Sequence, residues 1–151
     1  MERFLNYHSN NFGQARKIFE SKSDSELIDL LVNPALSKHT ELYLHRLPSG
    51  LEYVSGPQAR NCVDFATGNQ GRTKLIFFML EEARDEKGNL IVYFNNGRNT
   101  HAGKVIENGE RVISQWDQYG PVFKHGILQI PSMYGTKFNF FKMPSEFVKG
   151  I

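Results

Sequence analysis

The chain has 151 residues, with 18 Lys and Arg against 16 Asp and Glu, so its formal charge is only +2. No Lys/Arg cluster tracks a phosphate backbone, which excludes nucleic acid as the expected partner. Hydrophobic residues make up 40% and charged residues 23%, the balance of an ordinary globular protein. No apolar run approaches the roughly 20 residues that cross a bilayer, and the single cysteine excludes an internal disulfide.

The length predicts one domain over residues 1–151. Periodicity divides it into a helical N-terminal accessory, residues 1–40, and an α+β core, residues 41–151. Residues from about 10 to 33 read as two helices. Phe12, Ala15, Ile18 and Phe19 recur at helical spacing. Ser23 and Glu26 have the spacing of a capping box. Leu27, Ile28, Leu30 and Leu31 supply the apolar face of the second helix, and Asn33-Pro34 ends it.

From Glu41 the texture changes to short strands. Leu42-Tyr43-Leu44-His45-Arg46-Leu47 and Leu51-Glu52-Tyr53-Val54 flank the turn signal Pro48-Ser49-Gly50. Gly56-Pro57 breaks the chain before the cysteine. Residues 73–84, with Leu75-Ile76-Phe77-Phe78-Met79-Leu80 followed by Glu81-Glu82-Ala83-Arg84, read as a helix in preference to a buried strand. After Lys87-Gly88-Asn89 the pattern is β. Strands are expected at 90–94, 102–107, 111–116, 122–125 and 138–141, with turns at Asn95-Asn96-Gly97 and Asn108-Gly109. Short turns between consecutive strands predict an antiparallel meander, and helices before strands an α+β fold. Alternation puts Val105 on the face of Gly103 and Ile106 on the other.

The chemistry concentrates on Cys62, in Arg60-Asn61-Cys62-Val63-Asp64, and on His101, in Asn99-Thr100-His101-Ala102-Gly103. A thiol at the turn into a helix, with an imidazole nearby, has the means to stabilise a thiolate. Cys62 is therefore the candidate nucleophile, with a lowered pKa, and His101 the candidate general base. Against this stands the ordinary reading of a free cysteine as a small buried hydrophobe. An imidazole base needs an acceptor on its second nitrogen to fix its tautomer, and His125 on the next strand is one candidate. The backbone N–H of Cys62, with the side chain of Gln58 or Asn61, are candidate oxyanion donors. Trp116, Tyr119, Tyr134 and the turn Pro131-Ser132-Met133-Tyr134-Gly135 are candidates for a cleft wall. Asp64, Asp117, His8, His39 and His45 form no metal-ligand spacing, and Gly68-Asn69-Gln70-Gly71 lacks the Lys and Ser/Thr of a phosphate loop. No metal or cofactor is expected.

A cysteine opening a helix, then the strand Asn89-Leu90-Ile91-Val92-Tyr93-Phe94, then His101-Ala102-Gly103-Lys104-Val105-Ile106-Glu107-Asn108-Gly109, then Arg111-Val112-Ile113-Ser114 resembles the NlpC-type papain-like cysteine hydrolases over about residues 58–141. Three departures stand out: Asn61-Cys62-Val63 where the family often has Asp-Cys-Ser, Ser114 or Gln115 where it commonly has His, Asn or Gln, and an early break after the helix. The resemblance implies a papain-like fold, with the Cys-bearing helix packed on an antiparallel sheet. It places the third catalytic member at Ser114, with Gln115 one step away as a rival beside His125. It also adds Tyr53 as an oxyanion candidate.

The expectation is a cysteine-dependent hydrolase or transferase acting on an amide, peptide or ester bond, with a peptide or small amide as substrate. The alternative is a non-catalytic binding module with the same fold. A subunit of a larger assembly, docking a protein partner through the N-terminal helices, is a third reading. The start, Met1-Glu2-Arg3-Phe4-Leu5-Asn6, has no apolar run of the signal-peptide kind, so the expected compartment is the cytoplasm, non-classical export aside.

Overall fold

A computed structural model describes residues 12–33, 39–68, 82–84, 88–107 and 110–142. Helices α1 (Phe12–Ser21) and α2 (Asp24–Leu30) come first. Strand β1 (Glu52–Ser55) and helix α3 (Cys62–Thr67) follow. Then come β2 (Leu90–Asn95), β3 (Arg98–Ile106), β4 (Arg111–Gln115), β5 (Val122–Gly126) and β6 (Lys137–Phe141). The six strands form one sheet in the order β1-β5-β4-β3-β2-β6, and every pairing is antiparallel. The architecture is α+β.

Local chemistry explains the first two helices. The Ser23 hydroxyl accepts from the Glu26 N–H at 3.2 Å, and the Glu26 carboxylate takes the Ser23 N–H at 3.0 Å, closing the capping box. Leu27 and Leu31 are fully buried, as is Phe19 of α1. These residues form one core with Leu42, Tyr43, Leu51, Trp116 and Phe123, so the helices lie against the β4–β5 end of the sheet. Each fully buried Leu or Phe stabilises by about 1.5–3 kcal/mol.

A second cluster, with Ile91, Tyr93, Val105, Val112, Ile130 and Tyr134, continues along the same face. The opposite face carries Val92 and Ala102, which oppose each other in the β2–β3 register and pack on Val63 of α3. Gly103 sits where β3 and β4 come close. A Cβ there would collide with the Val112 side chain, so no side chain fits without a shift.

One expected strand is corrected. Residues 42–47 form two 3₁₀ turns, Thr40–Leu42 and Leu44–Arg46. Leu42 and Tyr43 are consecutive and both buried, which strand alternation does not allow on a one-sided sheet. The segment instead packs under the helices. Arg46 donates to the Lys22 carbonyl at 2.9 Å and pairs with Asp24, while His45 meets Glu20 at 2.9 Å. Such surface pairs are each worth at most about 1 kcal/mol, so apolar burial holds the turn.

Strand β3 begins at Arg98, ahead of the expected start at 102, because the turn before it is tight. Asn96 and Gly97 have φ of 53° and 75°, the paired positive values a two-residue hairpin turn requires. Pairing of β3 with β4 runs Lys104↔Ile113, Val105↔Val112 and Ile106↔Arg111. The turn expected at Asn108-Gly109 between them lies outside the described residues. So does most of the helix expected at 73–84. Its described end is extended, with Glu82 bridging Phe141 and the Ala83 N–H donating to the Phe140 carbonyl at 2.9 Å.

Among the described residues no helix is long and apolar enough to cross a membrane.

Candidate active site

The site is assembled around the loop that delivers Cys62. Asn61 is the N-cap of α3, and its side-chain oxygen accepts from the Asp64 N–H at 2.8 Å. The Arg60 guanidinium meets the buried Asp64 carboxylate at 3.3 Å. Upstream, Gln115 at the end of β4 grips the loop three times. Its side-chain carbonyl accepts from the Gln58 and Ala59 N–H groups, both at 2.9 Å, and its amide donates to the Ala59 carbonyl at 2.6 Å. Gln115 is fully buried. The Tyr119 N–H donates to the Arg60 carbonyl at 3.0 Å. Residues 115–119 thus form a scaffold for residues 58–60.

Cys62 is the first residue of α3 and is half-buried. Its thiol pKa is raised, first by burial. Backbone N–H groups of Ala102, Cys62 and Val63 directed at the sulfur oppose the rise, and the Asp64 carboxylate adds to it. The lowered pKa expected from the helix start is corrected here. A six-residue helix and three N–H donors do not outweigh desolvation of the charged form, so at neutral pH the group is a thiol.

His101 precedes Ala102, whose N–H faces that sulfur. Its ring lies flat on Tyr134, with centroids 4.1 Å apart and planes 3° from parallel, and 5.7 Å from the Tyr93 ring. It is 3% exposed. Among the described residues neither Nδ1 nor Nε2 has a hydrogen-bond partner, so the Cys62 sulfur does not bond to the ring. Burial, and then His125, holds the His101 pKa well below the ordinary value, leaving the imidazole neutral.

The rivals for the third position bond elsewhere. His125 Nδ1 lies 2.7 Å from the Gly126 carbonyl. A carbonyl only accepts, so Nδ1 carries the ring proton and Nε2 is bare. The Ser114 hydroxyl, 2.7 Å away, therefore donates to Nε2, and itself accepts from the Trp116 indole N–H at 3.1 Å. The chain Trp116–Ser114–His125–Gly126 is fully satisfied, and burial lowers the His125 pKa to about 4. Ser114 thus bonds to His125 and Gln115 to the cysteine loop, with neither on the His101 ring.

The remaining candidates fall in different places. The Gln58 side chain donates to the Ser55 hydroxyl at 2.7 Å. Tyr53 packs edge-on against Phe123 in the core beneath the helices. Trp116 is fully buried in the same core, 4.6 Å from the Phe123 ring, and presents no surface to a ligand. Tyr119 is 65% exposed, on the loop tied to Arg60.

Tyr134 is the residue whose place the sequence left least defined. Its hydroxyl accepts from the Asp117 N–H at 3.1 Å, and its carbonyl accepts from the Thr100 hydroxyl at 2.7 Å. No local pattern signals its stacking on His101, 33 positions away in the chain (134 − 101). Among the described residues, no group of three or more His, Cys, Asp or Glu is arranged to hold a metal.

Fold and site together define an α+β protein whose antiparallel sheet carries a half-buried thiol, packed with Val63, Val92 and Ala102, and an imidazole, stacked on Tyr134, that has no hydrogen-bond partner among the described residues. Comparison with protein-family models, with curated proteins and with solved structures finds no match to the chain.

Proposed function

We propose that the chain is a cysteine-dependent hydrolase or transferase acting on an amide, peptide or ester carbonyl, in the manner of the papain-like NlpC-type enzymes its motifs resemble. One contrast carries the reading. The protein buries two histidines on one face of the sheet. His125 has both ring nitrogens bonded, as a structural histidine should. The His101 nitrogens are the buried side-chain polar atoms left without partners among the described residues. Leaving such a group unpaired costs about 1–3 kcal/mol, a cost expected where a side chain serves chemistry.

The pKa directions suit a neutral pair. Cys62 rests as a thiol and His101 as a free base. When a carbonyl binds, the sulfur attacks its carbon as His101 takes the thiol proton. The carbonyl π electrons move to oxygen. Collapse of the tetrahedral intermediate expels the amine or alcohol, which leaves with the proton from His101, and a thioester remains on Cys62. Water, deprotonated by His101, or another acceptor then releases the acyl group.

The binding-module reading has one observation in its favour: the Cys62 sulfur and the His101 ring are not hydrogen-bonded. Catalytic hydrogen bonds are often long without substrate, so activity must decide. p-Nitrophenyl acetate should transfer one acetyl group to Cys62, seen as a mass gain and a burst of p-nitrophenolate. Cys62→Ala should show neither. His101→Gln should slow acetylation by roughly 10²–10⁴-fold, the range of general-base catalysis. Equal acetylation of His101→Gln and wild type refutes the reading.

A further inference from the structure

We infer that Tyr134 is a catalytic hydrogen-bond donor, its phenol stabilising the oxyanion that forms when Cys62 attacks a carbonyl. The inference rests on the proposed role of Cys62 and assigns a residue to the step in which charge appears on the carbonyl oxygen.

Two contacts place the phenol, and a third ties its loop to the cysteine. Its ring lies parallel on the His101 ring at 4.1 Å, which packs the phenol directly against the proposed base. Its oxygen is held by the Asp117 N–H at 3.1 Å. The loop that supplies this N–H also holds the cysteine loop, through the Tyr119 N–H on the Arg60 carbonyl at 3.0 Å, two residues before the nucleophile. Asp117 and Tyr119 have φ of 68° and 50°, a conformation that costs non-glycine residues energy and that proteins retain at functional sites. Gly120 closes the loop, and a Cβ there would overlap the Trp116 carbonyl.

The hydrogen-bond inventory gives the phenol its direction. A tyrosine hydroxyl has one proton to give and accepts through its lone pairs. The Asp117 N–H takes up an acceptor site, and no acceptor among the described residues takes the proton. Tyr134 is 5% exposed. A buried donor without an acceptor is costly, and a carbonyl oxygen gaining charge would supply one. Burial pushes the Tyr134 pKa up, so the phenol keeps its proton at neutral pH.

The step balances without a co-reactant. The sulfur–carbon bond forms, the thiol proton passes to His101, and the carbonyl π pair moves to oxygen. Tyr134 shares its proton with that oxygen without releasing it and takes back the full bond on collapse. Preorganised donors of this kind act because they are aimed before charge develops.

The test compares two reactions of Cys62 in wild type and Tyr134→Phe, which keeps the stacked ring and removes only the hydroxyl. Acetylation by p-nitrophenyl acetate creates an oxyanion, whereas alkylation by iodoacetamide does not. Acetylation should fall by about a hundredfold in Tyr134→Phe, with alkylation changed by less than about twofold. Equal acetylation in the two proteins overturns the inference. A parallel fall in both reactions also overturns it, since the phenol would then act on the thiol. Should Tyr134→Phe fail to fold by circular dichroism, wild type alone decides. A thiono ester places a poor hydrogen-bond acceptor where the oxyanion would form. Wild type should disfavour it, relative to the oxygen ester, more than free N-acetylcysteine does, and equal discrimination overturns the inference. Wild type that is alkylated but never acetylated refutes the hydrolase reading itself, a failure recognisable apart from the others.

Discussion

Replacing Gln115 with leucine tests whether one buried amide holds the cysteine loop. Leucine keeps much of the volume and removes all three hydrogen bonds, to the Gln58 N–H, the Ala59 N–H and the Ala59 carbonyl. A net hydrogen bond is worth about 1 kcal/mol, and a buried group left unpaired costs about 1–3 kcal/mol. Gln58 is exposed and Ala59 half-buried, so water can recover part of the loss. The estimate is therefore the lower bound for three bonds, about 3 kcal/mol. For a chain of this length 1 kcal/mol moves Tm by about 2–4 °C, giving a fall of roughly 6–12 °C in a circular-dichroism melt. The loosened loop should also expose the half-buried Cys62, so iodoacetamide should alkylate it faster at pH 9, measured well below the melting range. A Tm within about 2 °C of wild type, with unchanged alkylation, would show that the loop is held by something other than Gln115.

Acid should destabilise the protein through its buried histidines. A histidine with a depressed folded pKa binds its proton more tightly when unfolded, so stability present above about pH 6.5 is lost as pH falls towards the folded value. For His125, with its pKa lowered to about 4, the loss by pH 4 is about 3 kcal/mol. His101 shifts in the same direction. Urea midpoints at pH 7 and pH 4 should move further apart in wild type than in His125→Gln, and equal shifts would refute the assignment. Ser114→Ala leaves the Trp116 indole N–H and His125 Nε2 without their partner. It should cost about 2–3 kcal/mol in urea unfolding followed by Trp116 fluorescence, and a cost under about 0.5 kcal/mol would speak against the satisfied network. Gly103→Ala drives a methyl into Val112 and should cost about 1–3 kcal/mol as overpacking, read from the same melts. A neutral effect would mean that β3 and β4 are less closely apposed than described.

Short-range features were legible from the sequence alone. The capping box at Ser23 and Glu26 needs only four residues to be recognised, and it forms. The hairpin turn at Asn96-Gly97 depends on the positive φ these residues tolerate, and strand alternation follows from the pleat. The helix expected to open at Cys62 forms, and the Asn61 side chain, expected as a candidate oxyanion donor, instead caps it by accepting from the Asp64 N–H. The antiparallel order β2-β3-β4-β5 came from short connections alone.

Tertiary structure decided what depends on partners far along the chain. Residues 42–47 are hydrophobic enough for a strand, but the helices claim Leu42 and Tyr43 together, and the segment turns instead. Gln115 lies 56 residues from Ala59 (115 − 59), and no spacing rule connects an amide at a strand end to a distant loop. His101 and His125 look alike in sequence. They differ because Ser114 and the Gly126 carbonyl hydrogen-bond one ring, whereas no hydrogen-bond partner among the described residues reaches the other. The sign of the Cys62 shift belongs to the same class. Capping and turn preferences act over a few bonds and are written in neighbouring residue types. Desolvation and long-range hydrogen bonding depend on which surfaces meet after folding, and only the assembled sheet determines that.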